Sequence, residues 1–398
     1  MPGTERFGDD ERREVMEVLE TGILFRYGHD DLRRDRWKAR DMEACVRDYT
    51  GAEYALAVSS GSTAVACALA AAGIGHGDEV IVPPFTYLAT IEAVLLAGGL
   101  PVFAEIDDTL CLDASGIEAA LTPDTKAVLL VHMCGAAADM DPILELCRER
   151  DLVLIEDAGQ ALGAWYHGRS VGLFGATGAF SFDFFKITTA GEGGVFVTND
   201  EARYHLADSY ADHGHDHVGS NRGMENHPII GFNYRISELH AAVGLAQMRR
   251  LESVRSAKRA NKAVLRDRIS DLPGLSFRRI PDPEGDSGTF LNLLLPDRST
   301  AESAVESLRT ANVPGVNYWF TNMYHFINQW DHVKNLASAA PLAIHALGAP
   351  QDYRALELPR SQDVVSRLIS IGIGCGWEAD RTERISDDLR AALARVLG

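Results

Sequence analysis

From about residue 54 to residue 200, short β-branched or apolar runs alternate with helical patterns, and few folds satisfy that order. The strand-like runs fall at 54–58, 79–82, 127–133, 152–156, 179–182 and 195–198. Strands separated by helices read as crossover units, so the alternation predicts an α/β architecture, a mainly parallel sheet with helices on both faces. Ligands in such sheets sit at the carboxyl ends of the strands, so the chemistry is expected in the segments that follow these runs.

With 398 residues, 46% of them apolar and 24% charged, the chain has material for a large core and for two domains. Ile236, Leu239, Val243 and Ala246 recur at helical spacing, and the pattern continues through Arg268 as one long helix leaving the first domain. PDPEGDSG at 281–288 breaks regular structure, after which LNLLLP and later helical patterns predict a smaller C-terminal α+β domain. The expected division is 1–250 and 251–398.

Asp plus Glu number 57 against 38 Lys plus Arg, a formal net charge of −19 that repels nucleic-acid phosphates and anionic lipid. Neither nucleic acid nor a membrane is expected as a partner. The opening MPGTERFGDDERREV lacks an apolar targeting core, and no uncharged apolar run of about 18 residues occurs, so the expected compartment is cytoplasmic. Six scattered cysteines without a C-x-x-C pair read as reduced, mostly buried thiols.

Three segments carry chemistry. VSSGSTAVACALAAAG reads as strand, glycine turn and Ala-rich helix, which puts Gly61, Ser62 and Thr63 at a helix N-terminus. Free amides and the helix dipole there suit a phosphate, and the same hydroxyls also suit a simple N-cap. LVLIEDAGQ is an apolar strand ending in Glu156 and Asp157, with Gln160 shortly after. An acid at that position can face the crevice and keep a pyridinium nitrogen protonated, or it can cap a helix. In GAFSFDFFKITTAGEGG, Lys186 stands among Phe180, Phe182, Phe184 and Phe185. Loss of solvation lowers an amine's pKa and makes it a better nucleophile toward an aldehyde, although a lysine snorkelling from a strand end has the same pattern.

GDEVIVPPFTYLAT, EDAGQALGA, FSFDFFKITTAGEGG and GFNYRISELHAAVGLAQ, in this order and spacing, resemble the DegT/DnrJ/EryC1/StrS family of sugar aminotransferases over essentially the whole chain. The resemblance implies the type I, aspartate aminotransferase-like fold that binds pyridoxal 5'-phosphate, with segment 1–40 near the active site. It also implies a homodimer with active sites at the subunit interface. Lys186 would form the Schiff base, Asp157 pair with the pyridine nitrogen, Gln160 approach the phenolic oxygen and Tyr87 stack on the ring. Gly61, Ser62, Thr63 and Ser181 would hold the phosphate, and Asn233 would reach the phosphate in the neighbouring subunit. The implied reaction moves nitrogen from an amino acid, L-glutamate in this family, to a keto- or aldehydo-sugar.

ILFRYGHDDLRRDRWKARDMEA, ADHGHDHVG and RGMENHPIIGFNYRISE look like the branch that aminates C8 of 3-deoxy-octulosonate. SSGSTAV and FFKITTA depart from that branch, the second altering the wall beside Lys186. Neighbouring branches act on nucleotide-linked sugars or aminocyclitol ketones, and related sugar dehydratases replace the lysine by histidine or add cluster-binding cysteines. Arg26 and Tyr27 in FRYGHDD, and His213 and His215 in DHGHDH, are candidate substrate contacts. The histidines invite a metal site, but their alternate spacing in a glycine-containing loop fits active-site lining, and no metal is expected.

Overall fold

The computed structural model describes residues 3–219 and 221–398. Its large sheet contains β1 (Tyr54–Val58), β2 (Glu79–Val82), β3 (Leu100–Phe103), β4 (Thr125–Val131), β5 (Val153–Asp157), β6 (Thr177–Ser181) and β7 (Gly194–Thr198). Their spatial order is β1-β7-β6-β5-β4-β2-β3. The run β6-β5-β4-β2-β3 is parallel, and β7 lies antiparallel to both β1 and β6. This is the α/β sheet expected from the alternation.

The buried runs 127–131 of β4 and 154–156 of β5 follow from helices covering both faces. Leu129 and Ile155 are fully enclosed, each worth about 2 kcal/mol of apolar burial. β3 escapes the alternation because it contains Pro101, and its place at the sheet edge explains why proline is tolerated there. That edge is not left open. Gln351 donates to the Phe103 carbonyl at 3.0 Å and accepts from its amide at 2.7 Å, while the Tyr353 hydroxyl donates to Pro101 O at 2.5 Å.

A second, antiparallel sheet is formed by β8 (Ser276–Phe277), β9 (Phe290–Leu294), β10 (Val316–Tyr318) and β11 (Leu368–Gly372), in the order β8-β9-β11-β10. Helices Leu251–Ile269 and Arg298–Thr310 pack on it, and Ala379–Leu397 packs on both of those helices. The single helix expected through Arg268 is two, Glu238–Met248 and Leu251–Ile269. Arg249 and Arg250 sit at the break, and their guanidinium groups are tied to Glu14 and Glu11 of helix Asp9–Thr21. The two helices pack on different partners, the first on helices Lys38–Thr50 and Asp9–Thr21 and the second on helix Ala379–Leu397, which a shared helical period does not reveal.

The two halves of the chain are joined beside the sheet's carboxyl edge. Ile327 donates to Pro84 O at 2.9 Å, Thr86 to His325 O at 3.0 Å, and Leu88 to Tyr324 O at 3.1 Å. All six cysteines are free, five of them buried, as the scattered spacing predicted. Among the described residues no helix is long and apolar enough to cross a membrane.

Candidate active site

The turn after β1 is built by its own polar groups. Ser60 is extended and its hydroxyl accepts the Thr63 amide at 3.1 Å, while Thr63 Oγ1 donates to Ser60 O at 2.9 Å. Helix Gly61–Ala71 starts there, and its Gly61 and Ser62 amides have no carbonyl to meet within the helix. A side chain at Gly61 would put its Cβ 2.6 Å from Ser181 Cβ, so only glycine lets the helix end approach the tip of β6. Ser62 and Ser181 are thereby brought onto one wall. Gly73 closes the helix at φ +75, as a left-handed C-terminal residue.

At the end of β5 the two neighbouring acids separate. Glu156 is fully buried, accepts the Gly172 and Gly175 amides at 2.7 and 2.6 Å, and takes a hydrogen bond from His132 Nε2 at 2.8 Å. The Ala138 amide donates to His132 Nδ1, which fixes that tautomer. Alternation along the strand turns Asp157 to the other side, half-buried, where Oδ1 accepts the Gly159 amide at 2.9 Å and Oδ2 the Thr90 hydroxyl at 2.8 Å. Gln160 Oε1 accepts the Cys134 amide at 3.3 Å.

Lys186 follows β6 on a turn held by Asp183, whose carboxylate accepts the Phe185 amide at 2.9 Å and whose carbonyl accepts the Lys186 amide at 3.0 Å. The aromatic run divides into two classes. Phe180 and Phe182 are core, whereas Phe184 and Phe185 are exposed. Burial holds the Lys186 amine below its ordinary pKa, an effect opposed by the nearby Asp157 and Asp183 charges. The amine makes no hydrogen bond or ion pair among the described residues.

A cavity of about 670 Å³ joins these groups: Gly61, Ser62, Tyr87, Asp157, Gln160, Ser181 and Lys186 all line it. Tyr87 is 44% exposed, with edge contacts to Tyr324 and His325 at 5.8 and 5.7 Å. Thr63 lines a smaller adjoining cavity, since its hydroxyl is used in the cap. Asn233 is exposed on the segment after residue 230 and accepts the Arg235 amide.

The proposed substrate contacts lie elsewhere in this chain. Arg26 is buried, paired with Glu43 at 2.7 Å and donating to Ala57 O at 2.5 Å, so its guanidinium holds this chain's own carboxylate instead of a substrate's. Tyr27 contacts Asp208 at 3.2 Å and stacks on His217 at 4.4 Å. His213 is exposed, and His215 lies 2.8 Å from Glu225 and against His227. Among the described residues, none from 3 to 40 lines the cavity.

Sequence reasoning missed the wall contributed by the second half of the chain, where Asn317, Trp319, Tyr324 and His325 face Lys186. Burial and the positive Lys186 amine lower the His325 pKa to about 3, so its imidazole is neutral. The aromatic run NYWFTNMYHF was the available signal, but only tertiary packing brings it to the cavity.

A sequence model of the DegT/DnrJ/EryC1/StrS aminotransferase family matches residues 6–390. The chain is 41% identical over 262 residues to the GDP-perosamine synthase of Caulobacter vibrioides, covering 64% of this chain and 65% of that one. It is 34% identical over 302 residues to the L-glutamine:scyllo-inosose aminotransferase of Streptomyces griseus, covering 74% and 71%. Across these and similar curated relatives the chain spans between 53% and 71% of their length. The solved aminotransferase of Psychrobacter cryohalolentis superposes with a TM-score of 0.83 at 26% identity, covering 98% of both chains. With a family match through nearly its whole length and that family's architecture, the chain belongs to the DegT/DnrJ/EryC1/StrS aminotransferases.

Proposed function

We propose that this chain is a pyridoxal-phosphate-dependent aminotransferase that moves an amino group from L-glutamate or L-glutamine to a keto- or aldehydo-sugar. The observation that carries the proposal is the meeting, in one cavity, of an unpaired amine, a strand-end carboxylate and a helix N-terminus with free amides. Those groups fit the cofactor. Lys186 would hold its aldehyde carbon, Asp157 its ring nitrogen, Gln160 its phenolic oxygen and Tyr87 its ring face. Gly61, Ser62 and Ser181 would hold its phosphate, with Thr63 ordering the turn. When bound, pyridoxal phosphate supplies an electron sink for an amino acid's α carbon. The Lys186 amine, its pKa lowered by burial, would be the group that takes the proton from that carbon and returns it to the cofactor.

For the acceptor we infer an eight-carbon sugar of the 8-oxo-3-deoxy-octulosonate type, from the resemblance of the FRYGHDD and ADHGHDHVG segments to that branch, although neither segment lines the cavity of this chain. Similarity to a GDP-perosamine synthase and to a scyllo-inosose aminotransferase favours a second reading, a nucleotide-linked sugar or an aminocyclitol ketone. Lys186 is the one lysine or arginine on the cavity wall among the described residues. An acceptor carboxylate or phosphate therefore needs positive charge from outside this wall, which supports a homodimer with shared sites and with Asn233 reaching across.

Purified protein is expected to carry a visible cofactor absorbance that changes on adding glutamate. A panel of octulosonate, nucleotide-sugar and aminocyclitol acceptors, read by mass spectrometry, then identifies the aminated product. Lys186→Ala completing both half-reactions at normal rates would overturn the proposal, as would loss of water from the sugar with no amine in the product.

A further inference from the structure

Thr86 and Thr90 belong to none of the cofactor contacts assigned above, yet they connect directly to one. Both side chains are buried, at 1% and 2% exposure. Thr90 Oγ1 lies 2.8 Å from Asp157 Oδ2, and Thr86 Oγ1 lies 2.9 Å from Thr90 Oγ1. An ionised carboxylate only accepts, so Thr90 gives its one hydroxyl proton to Asp157. Thr86 then donates to Thr90 at 2.9 Å, the nearer of its two acceptors, the other being the Tyr87 carbonyl at 3.4 Å. The chain of protons runs in that direction only while Asp157 is charged.

The second carboxylate oxygen, Oδ1, accepts the Gly159 amide at 2.9 Å. Each oxygen of Asp157 thus has one donor from the protein and keeps a lone pair for the cavity. A donor on each oxygen fixes the plane of the carboxylate, and linked hydroxyls polarise one another. The far end of the chain is itself anchored, because the Thr86 amide donates to His325 O across the junction between the two halves of the molecule.

We propose that Thr90 is a positioning residue for the cofactor ring, holding the Asp157 carboxylate in its orientation, and that Thr86 fixes the direction of the Thr90 proton. The proposal rests on Asp157 being the partner of the ring nitrogen. It is independent of which sugar accepts the amine.

The test uses holoenzyme reconstituted with pyridoxal phosphate, in wild type, Thr90→Val, Thr90→Ser and Thr86→Val. Three quantities are read: the pH titration of the visible absorbance, the affinity for pyridoxal phosphate, and the rate of the glutamate half-reaction. Thr90→Val is expected to shift the titration midpoint by about half a unit or more and to slow the half-reaction ~10-fold or more, the worth of a hydrogen bond to a charged group. Thr90→Ser restores the hydroxyl and should return all three to within about threefold or a few tenths of a unit of wild type. Thr86→Val should shift the titration in the same direction by less, and it carries the test alone if Thr90→Val does not fold. Wild-type behaviour in either valine variant, or no rescue by serine, overturns the proposal. Wild-type protein with no glutamate-responsive chromophore overturns it together with the proposed function, whereas a normal wild type beside an unaltered Thr90→Val overturns it alone.

Discussion

The cavity at Lys186 and the charged cluster at Asp212 are built from the same residue types in opposite states. In the cluster the central carboxylate and both nitrogens of His217 are satisfied from within the chain, and the one buried nitrogen left over, Arg222 Nη1, still lies 4.0 Å from Glu225. Asp212 is fully buried and accepts from His217 at 2.9 Å, from Arg222 at 2.6 Å and from Arg235. The other His217 nitrogen contacts Asp208 at 2.7 Å, and Tyr27 stacks on its ring. In the cavity, the Lys186 amine and the first amides of the helix at Gly61 have no such partners. Groups available to a ligand are those the fold has left unspent, and residue type alone does not show which they are.

The largest expected effect tests the unspent side. Lys186→Ala should lower glutamate-dependent transfer by ~10⁴-fold, the upper range for losing a proton-transferring group. It removes a desolvated amine with no hydrogen bond to lose, so the thermal midpoint in the absence of cofactor should not fall. A stopped-flow absorbance assay beside a thermal melt reads both. A large fall in stability would mean that the amine is structural and the contrast between the regions is misplaced.

Asp212→Ala should behave in the opposite way. Its carboxyl is subject to burial, which raises its pKa, but hydrogen bonds from His217, Arg222 and Arg235 hold it far below the usual range. Removing it takes the carboxylate from Arg222 and Arg235 and leaves His217 with Asp208 alone, at a cost of about 3–5 kcal/mol, measurable as a lower urea midpoint. Activity per folded molecule should change little. A variant with wild-type stability and no activity would transfer the cluster to the catalytic side.

The difference between these regions also explains what could be read from the sequence. The alternating runs specified the mainly parallel sheet, strand-end position pointed to Asp157 and the aromatic run to Lys186, because those signals depend on local order and side-chain chemistry. Arg26 could not be judged in the same way: its partner Glu43 lies in helix Lys38–Thr50, and nothing local announces the pair. His325 was invisible for a related reason, since its place beside Lys186 depends on hydrogen bonds between 84–88 and 324–327. Strand alternation puts the adjacent acids Glu156 and Asp157 on opposite faces, but that Glu156 is the enclosed one emerges only once the loop around Gly172 is in place.

A pH titration of stability sharpens the comparison with a smaller effect. Burial pulls the His217 pKa down, but hydrogen bonds to Asp208 and Asp212 outweigh it and raise the value to about 9 from the usual 6.5. A raised folded pKa contributes stability that is complete below about 6.5 and lost as the pH climbs through about 9. After allowance for solvent screening, the contribution is on the order of 1–2 kcal/mol. Urea midpoints should therefore decline between pH 6.5 and 9, and His217→Gln should flatten that decline. An unchanged slope in the variant would show that the histidine is not the titrating member of the cluster.

Tyr87 provides the smallest effect, and it separates ring from hydroxyl at the cavity. Burial raises the phenol's pKa, so the hydroxyl stays protonated through the assay range and supplies no charge. No hydrogen bond from it is formed among the described residues, and its contacts are the ring edges of Tyr324 and His325. Tyr87→Phe should therefore leave pyridoxal phosphate affinity within about twofold, while Tyr87→Ala, which removes the face offered to the cofactor, should weaken it ~10-fold. Fluorescence titration of the apoenzyme measures both. If the phenylalanine variant instead falls as far as alanine, the hydroxyl belongs among the cavity's unspent groups and Tyr87 engages the cofactor or substrate through its oxygen.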